Sequence, residues 1–205
     1  MKTTQVQILS RIRRRHGGDG AVVTPKDFLD LASRDAVDQA LTRLVRDGIL
    51  TRIGRGLYHQ ARINTSLGIP VPPDADKVAD ALGRQTGSTV APSPAVTANR
   101  LGLSTQIPAK PVYLTSGRSR TVKVGSKTYH LKHASPQKMP DTDSIVGRVL
   151  QSISVLGSNP DDSELDLLRE ALTVAERREL TRRARYHSER VAEIARRIAA
   201  APAGA

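Results

Sequence analysis

The segment that most restricts the fold is SRDAVDQALTRLVRDGILTRIGRGLYH, residues 33–59. Ser33 stands where an N-cap belongs. Val37, Ala40, Leu41 and Leu44 recur at helical spacing with Val45 at the edge, so the pattern predicts a helix from Arg34 to about Asp47. Gly48 takes the place of a left-handed C-terminal glycine. Two β-like runs follow, Ile49–Ile53 and Leu57–Ala61, joined through Gly54-Arg55-Gly56. An amphipathic helix running directly into a tight hairpin leaves few arrangements open.

The flanking sequence narrows them further. A helix is expected from about Thr4 to Arg15, with Val6, Leu9 and Ile12 on one face and HGGDG ending it. TPKDF opens a short helix, with Thr24 as cap, Pro25 in the first position and Phe28, Leu29 and Leu31 turned inward. Helix, helix, helix and hairpin in this order is the order of a winged helix-turn-helix.

After Arg62 the stretch RINTSLGIPVPP has no periodicity and three prolines near its end, and reads as a linker over residues 63–73. Asp74 then caps a helix to about Arg84, and Ser93-Pro94 opens another. Residues 111–134 hold three strand-like runs. The last two alternate, with Val122 and Val124 facing Tyr129 and Leu131 across a Gly125-Ser126 turn. Beyond Pro140 the chain is helical: residues 144–156, then Asp162/Ser163–Leu172, then a helix opened by the capping box Thr173/Glu176 in which Val191, Ile194 and Ile198 recur. The fold class expected is α+β: a winged-helix domain (1–62), the linker, and a mixed α/β domain with a helical C-terminal part (74–205).

Composition bounds the chemistry. With no Cys, no Trp and one Phe, the cores must be aliphatic, and disulfides and thiolate metal sites are excluded. No apolar run approaches a membrane span and no secretory leader is evident, so a cytoplasmic location is expected. The net charge is +12. Residues 1–62 carry 12 Lys and Arg against 6 Asp, residues 63–140 carry 10 against 3, and residues 141–205 carry 10 against 11 acids. Positive charge thus concentrates in the first two-thirds, where a polyanion would bind.

On the helix from Arg34, the side away from the apolar stripe presents Asp35, Gln39, Thr42, Arg43 and Arg46. Arg pairs with guanine and Gln with adenine in the major groove, so this face suits base readout. Arg52 and Arg55 lie on the adjoining hairpin, where a wing meets phosphate or the minor groove, and Arg11, Arg13, Arg14 and Arg15 offer further backbone contacts. Lys123, His130 and Lys132 are expected on one polar hairpin face beside Arg118 and Arg120, a surface for a partner or a nucleic acid.

The segment at 33–59, and SPAVTANRLGLSTQIPAKPVYLTSGRSRTVKVGSKTYHLKHASPQKM beyond it, resemble the AbiEi-type antitoxins of type IV toxin–antitoxin systems over residues 4–140. The resemblance implies a transcriptional autorepressor that binds inverted repeats in double-stranded promoter DNA through its winged helix. It also implies a C-terminal domain that counteracts a cognate nucleotidyltransferase toxin. It implies DNA contacts at Arg34, Arg43, Arg52 and Arg55, and protomers that are monomeric or weakly dimeric in solution and pair on the repeats. The alternative is a winged-helix transcription factor whose second domain senses a ligand.

Enzymatic readings are weaker. GSNPDDSELD (157–166) has spaced aspartates, but they precede an amphipathic helix and suit its N-terminus. The five histidines are scattered, with His130 and His133 out of phase on a strand. No phosphate loop, nucleophile elbow or paired-carboxylate pattern occurs, so neither catalysis nor a cofactor is expected.

Overall fold

The computed structural model describes residues 3–103, 112–135, 139–141, 143–157 and 159–200. Residues 104–111 of the quoted ANRLGLSTQIPAK stretch therefore lie outside the described residues. The chain is mixed α+β, with eight α-helices and two β-sheets among the described residues. It divides into two compact units, residues 1–90 with 115–134, and residues 91–114 with 135–205.

In the first unit, α1 (Thr3–Arg15) buries Ile8 and Ile12, while Val6 is exposed. A two-residue strand β1 (Val22–Val23) follows, then a single 3₁₀ turn (Pro25–Phe28) in place of the expected short helix. That turn buries Phe28 but leaves Leu29 at 44% exposure, because one tight turn aims too few side chains at the core. Helix α2 (Arg34–Arg46) has the expected cap, with Ser33 accepting from the Ala36 amide, and the expected buried stripe of Val37, Ala40, Leu41 and Leu44. Gly48, at φ 72°, releases the chain into β2 (Thr51–Gly54) and β3 (Leu57–His59). The sheet order is β1-β3-β2, antiparallel throughout, with a bulge between Arg52 and Gly54.

Register decides which residues share a face. Val23 pairs with Tyr58, and both lie in the core formed with α1, the 3₁₀ turn and α2. Val22 pairs with His59 on the opposite face, and Leu57 lies opposite Gly54. That second face is covered by the chain that follows. Helix α3 (Ala75–Thr86), capped by Asp74, buries Val78, Ala79, Ala81 and Leu82. Its Arg84 reaches back to Asp27 (Nε–Oδ1 2.9 Å) and to the Val22 carbonyl (2.8 Å). The division between units therefore does not fall at the prolines of 70–73, because α3 packs on β1 and the 3₁₀ turn. The stretch 63–73 is itself hydrogen-bonded: the Asn64 side chain accepts from the Ser66 and Leu67 amides, and the Val71 amide donates to the Arg62 carbonyl.

The second sheet has the order β4-β5-β7-β6, with β4 at Val90–Pro92, β5 at Val112–Thr115, β6 at Arg120–Val124 and β7 at Lys127–His133. The β6–β7 register, Val122 opposite Tyr129 and Val124 opposite Lys127, belongs to the first unit.

The second unit is dominated by helices: α4 (Pro94–Arg100), α5 (Ile145–Ile153), α6 (Asp162–Glu170), α7 (Val174–Ala184) and α8 (Glu189–Ala199). The expected single helix after Thr173 is two, with residues 185–188 turning the chain so that Val191, Ile194 and Ile198 enter the core from α8. That core is aliphatic, including Val149, Ile153, Leu168 and Leu180, and each fully buried Leu or Ile contributes about 1.5–3 kcal/mol. A buried polar contact ties α4 to α5: Thr97 Oγ1 donates to Gln151 Oε1 (2.8 Å), and Gln151 Nε2 donates to the Pro92 carbonyl (2.7 Å).

His59, 3% exposed, is held below the usual imidazole range by burial and by the Lys77 charge, and its Nε2 has no hydrogen-bond partner among the described residues. A base with a lowered folded-state pKa binds fewer protons folded than unfolded. Its contribution is complete above about pH 6.5 and declines as the pH falls toward the lowered value. Thermal melts should show the melting temperature dropping with acidification below about pH 6.5, and His59→Leu should flatten that dependence; an unchanged slope would contradict it.

Candidate nucleic-acid interface

The outward face of α2 is built from short-range pairs. Arg34 Nε donates to Asp38 Oδ2 at 2.7 Å one turn away, Thr42 Oγ1 donates to the Asp38 carbonyl at 2.7 Å, and Arg43 reaches Gln39 Oε1 at 3.4 Å. Arg46 lies 3.8 Å from Asp47. Gln39, Thr42 and Arg46 are exposed and Arg43 is half-buried. Exposed i,i+4 pairs contribute only about 0.3–0.5 kcal/mol, so Asp38 holds Arg34 weakly and a phosphate can displace it.

Arg52 and Arg55 are both exposed and make no ion pair among the described residues. Arg52 stands opposite Tyr58, so it leaves the sheet on the face that packs against the helices. On α1, Arg13 and Arg14 are exposed and line a shallow groove of about 310 Å³ with Val6, Leu9 and Ser10. Arg11 is instead turned toward Asp30 and the Asp27 carbonyl.

The hairpin does not project freely. Gln85 of α3 donates from Nε2 to the carbonyls of Arg55 (2.8 Å) and Gly56 (3.0 Å), and the Gly125 amide donates to the Ile53 carbonyl at 3.0 Å. Gly56 has φ 64°, and a Cβ there would come within 3.1 Å of Gln85 Nε2. Backbone atoms at the tip are therefore tied down while both arginine side chains point to solvent. Sequence reasoning missed Gln85 and Arg84; as polar residues in the last turn of a helix they carry no signal of a partner some 30 and 57 residues away.

The β6–β7 surface is only partly as expected. Thr121 pairs with His130 and Lys123 with Thr128, so Lys123, His130 and Lys132 do share a face. Arg120 does not join them. It lies opposite Leu131 on the other face, and its guanidinium donates to the Leu82 carbonyl at 2.6 Å, closing the end of α3. His130 is half-buried, with Nδ1 3.2 Å from Thr121 Oγ1. Arg118 is exposed on the loop beyond β5, beside a cavity of about 490 Å³ that Thr86, Ser88 and Thr115 also line. Among the described residues, no three His, Asp or Glu side chains are placed to hold a metal ion, and no helix is long and apolar enough to cross a membrane.

Comparison with known proteins gives a family. Residues 7–180 match the model described as "Family of unknown function (DUF6088)". Among solved structures the chain is similar to the crystal structure of the RV2827C protein from Mycobacterium tuberculosis, at 14% identity and a TM-score of 0.44, covering 97% of this chain and 77% of that one. No curated protein matches.

If Gln85 fixes the hairpin tip, Gln85→Ala should raise amide exchange at residues 54–57 by about tenfold while leaving α2 protected. Unaltered exchange at the tip would show that the Gly125 contact alone is sufficient.

Proposed function

The chain belongs to the DUF6088 family, and from that premise and the geometry above we propose that residues 1–62 are a winged helix that binds double-stranded DNA sequence-specifically. In this reading α2 is the recognition helix, offering Gln39, Thr42, Arg43 and Arg46 to base edges, with Arg34 near its N-terminus. The β2–β3 hairpin is the wing, its Arg52 and Arg55 placed for phosphates, and Arg13 and Arg14 of α1 add backbone contacts. The observation that carries the proposal is that Arg52 and Arg55 are exposed and free of carboxylates among the described residues, on a hairpin whose backbone is clamped. A held tip presents its cations without the entropy loss of ordering a loose loop on binding.

The resemblance to AbiEi-type antitoxins extends the proposal. The protein is an autorepressor whose protomers pair on inverted repeats of its own promoter, and it counteracts a cognate nucleotidyltransferase toxin. The Lys123, His130, Lys132 and Arg118 surface is available to that partner or to nucleic acid.

Arg52→Ala with Arg55→Ala should weaken promoter binding at least tenfold and lower the slope of log K against log salt by about 1.8, two phosphate contacts at about 0.9 each. In cells, the same variant should derepress the promoter; the neighbouring gene should encode a nucleotidyltransferase, and the parent chain should restore growth on co-expression with it. Unchanged affinity and slope would refute the wing; absent growth rescue would refute the antitoxin role alone.

A further inference from the structure

Helix α7 carries four arginines and Arg185 follows it directly, and the structure separates the five by task. Arg183 turns inward to Asp141 (2.8 Å) and Ser144, and Arg177 donates to the Arg169 carbonyl at 3.0 Å. Arg178, Arg182 and the following Arg185 are exposed along one side. At 1.5 Å per residue they span about 10 Å. Arg182 shares a neighbouring Glu179, whereas Arg178 and Arg185 have no carboxylate partner among the described residues. Their stems, with Val174 and Thr181, line an open groove of about 760 Å³. Tyr186, immediately after Arg185, is 90% exposed.

We propose that this groove of the second unit is a further nucleic-acid site that holds the backbone of single-stranded RNA or DNA with Tyr186 as a stacking platform for a base. Guanidinium forks match phosphate oxygens two at a time, and their planes and a free tyrosine ring stack on bases of any sequence. An acidic protein helix fits less well. Among the described residues Val174 is the one large apolar side chain lining the groove, and it is itself exposed, so such a partner would find no buried anchor. Residues 141–205 are close to neutral overall, but two nearby acids are engaged by other groups, Glu176 by the Thr173 cap and Asp141 by Arg183, and Glu179 offsets Arg182.

The test uses the full chain and a short single-stranded RNA containing 4-thiouridine. Photo-crosslinks should map to residues 174–186. Arg178→Glu with Arg185→Glu should remove them, weaken binding about tenfold and lower the salt slope by about 1.4, while leaving promoter-duplex binding and the melting temperature unchanged. Tyr186→Ala should weaken binding without altering the slope. Crosslinks confined to residues 3–62, an unchanged affinity in the charge-reversed variant, or poly-glutamate displacing the RNA at equal charge concentration would each overturn the proposal. Because the readout is localised to α7, failure here is distinguishable from failure of the winged-helix assignment.

Discussion

The first unit depends on one guanidinium. Arg84, in the last turn of α3, meets Asp27 on the 3₁₀ turn and the carbonyl of Val22 on β1, and Asp27 also accepts from the Thr24 amide at 2.8 Å. The Asp27 side chain is only 7% exposed, so without Arg84 it would be a carboxylate stripped of water and of its counter-charge. Removing one member of such a pair destabilises by about 2–3 kcal/mol, allowing for the 35% exposure of Arg84. This contact seats α3 on the sheet face that the helices α1 and α2 leave bare. Once α3 is seated, Gln85 lies within reach of the hairpin tip and Arg120 within reach of the α3 carbonyls. The position of Arg52 and Arg55 is thus set by residues that follow them in sequence by some thirty places.

A chain this rich in arginine uses it in two ways. Arg11, Arg84, Arg120, Arg169, Arg183 and Arg190 bind carbonyls or carboxylates of the fold, as in the Arg190 contact to the Leu156 carbonyl at 2.8 Å. Arg13, Arg14, Arg52, Arg55 and Arg178 project into solvent, where a charge contributes little to stability and much to the encounter with a polyanion. With almost no aromatic side chains to fill the interior, guanidinium-to-carbonyl bonds tie together helix ends that aliphatic packing alone leaves loosely specified.

The parts of this arrangement legible in sequence are those written in local signals. Ser33, Gly48, Asp74 and the Thr173/Glu176 box marked element ends to within a residue or two, since capping depends on three or four neighbouring positions. The apolar stripe of α2 and the Val122–Tyr129 register followed from periodicity. β1 was hidden because two residues cannot display an alternation, and it exists only through its pairing with β3. Arg120 was expected beside the polar face of β6–β7, but its bond to the Leu82 carbonyl joins residues 38 apart, for which the strand pattern holds no signal. That residues 115–134 belong with residues 1–90 rests on contacts between positions far apart in sequence, for which composition and spacing hold no signal. Of the candidate site, the residue types on α2 and at the hairpin tip were readable, but the pairing of Arg34 with Asp38 and the clamp from Gln85 required three dimensions.

The central claim is that α2 and the clamped hairpin present one cationic surface to duplex DNA. Amide hydrogen exchange of the full chain, measured with and without its promoter duplex, tests it most directly. The account predicts that protection on binding is greatest at residues 34–46 and 51–58, with a smaller effect at 11–15. Protection absent from either of the first two segments, or concentrated instead in the helices beyond residue 140, would contradict it.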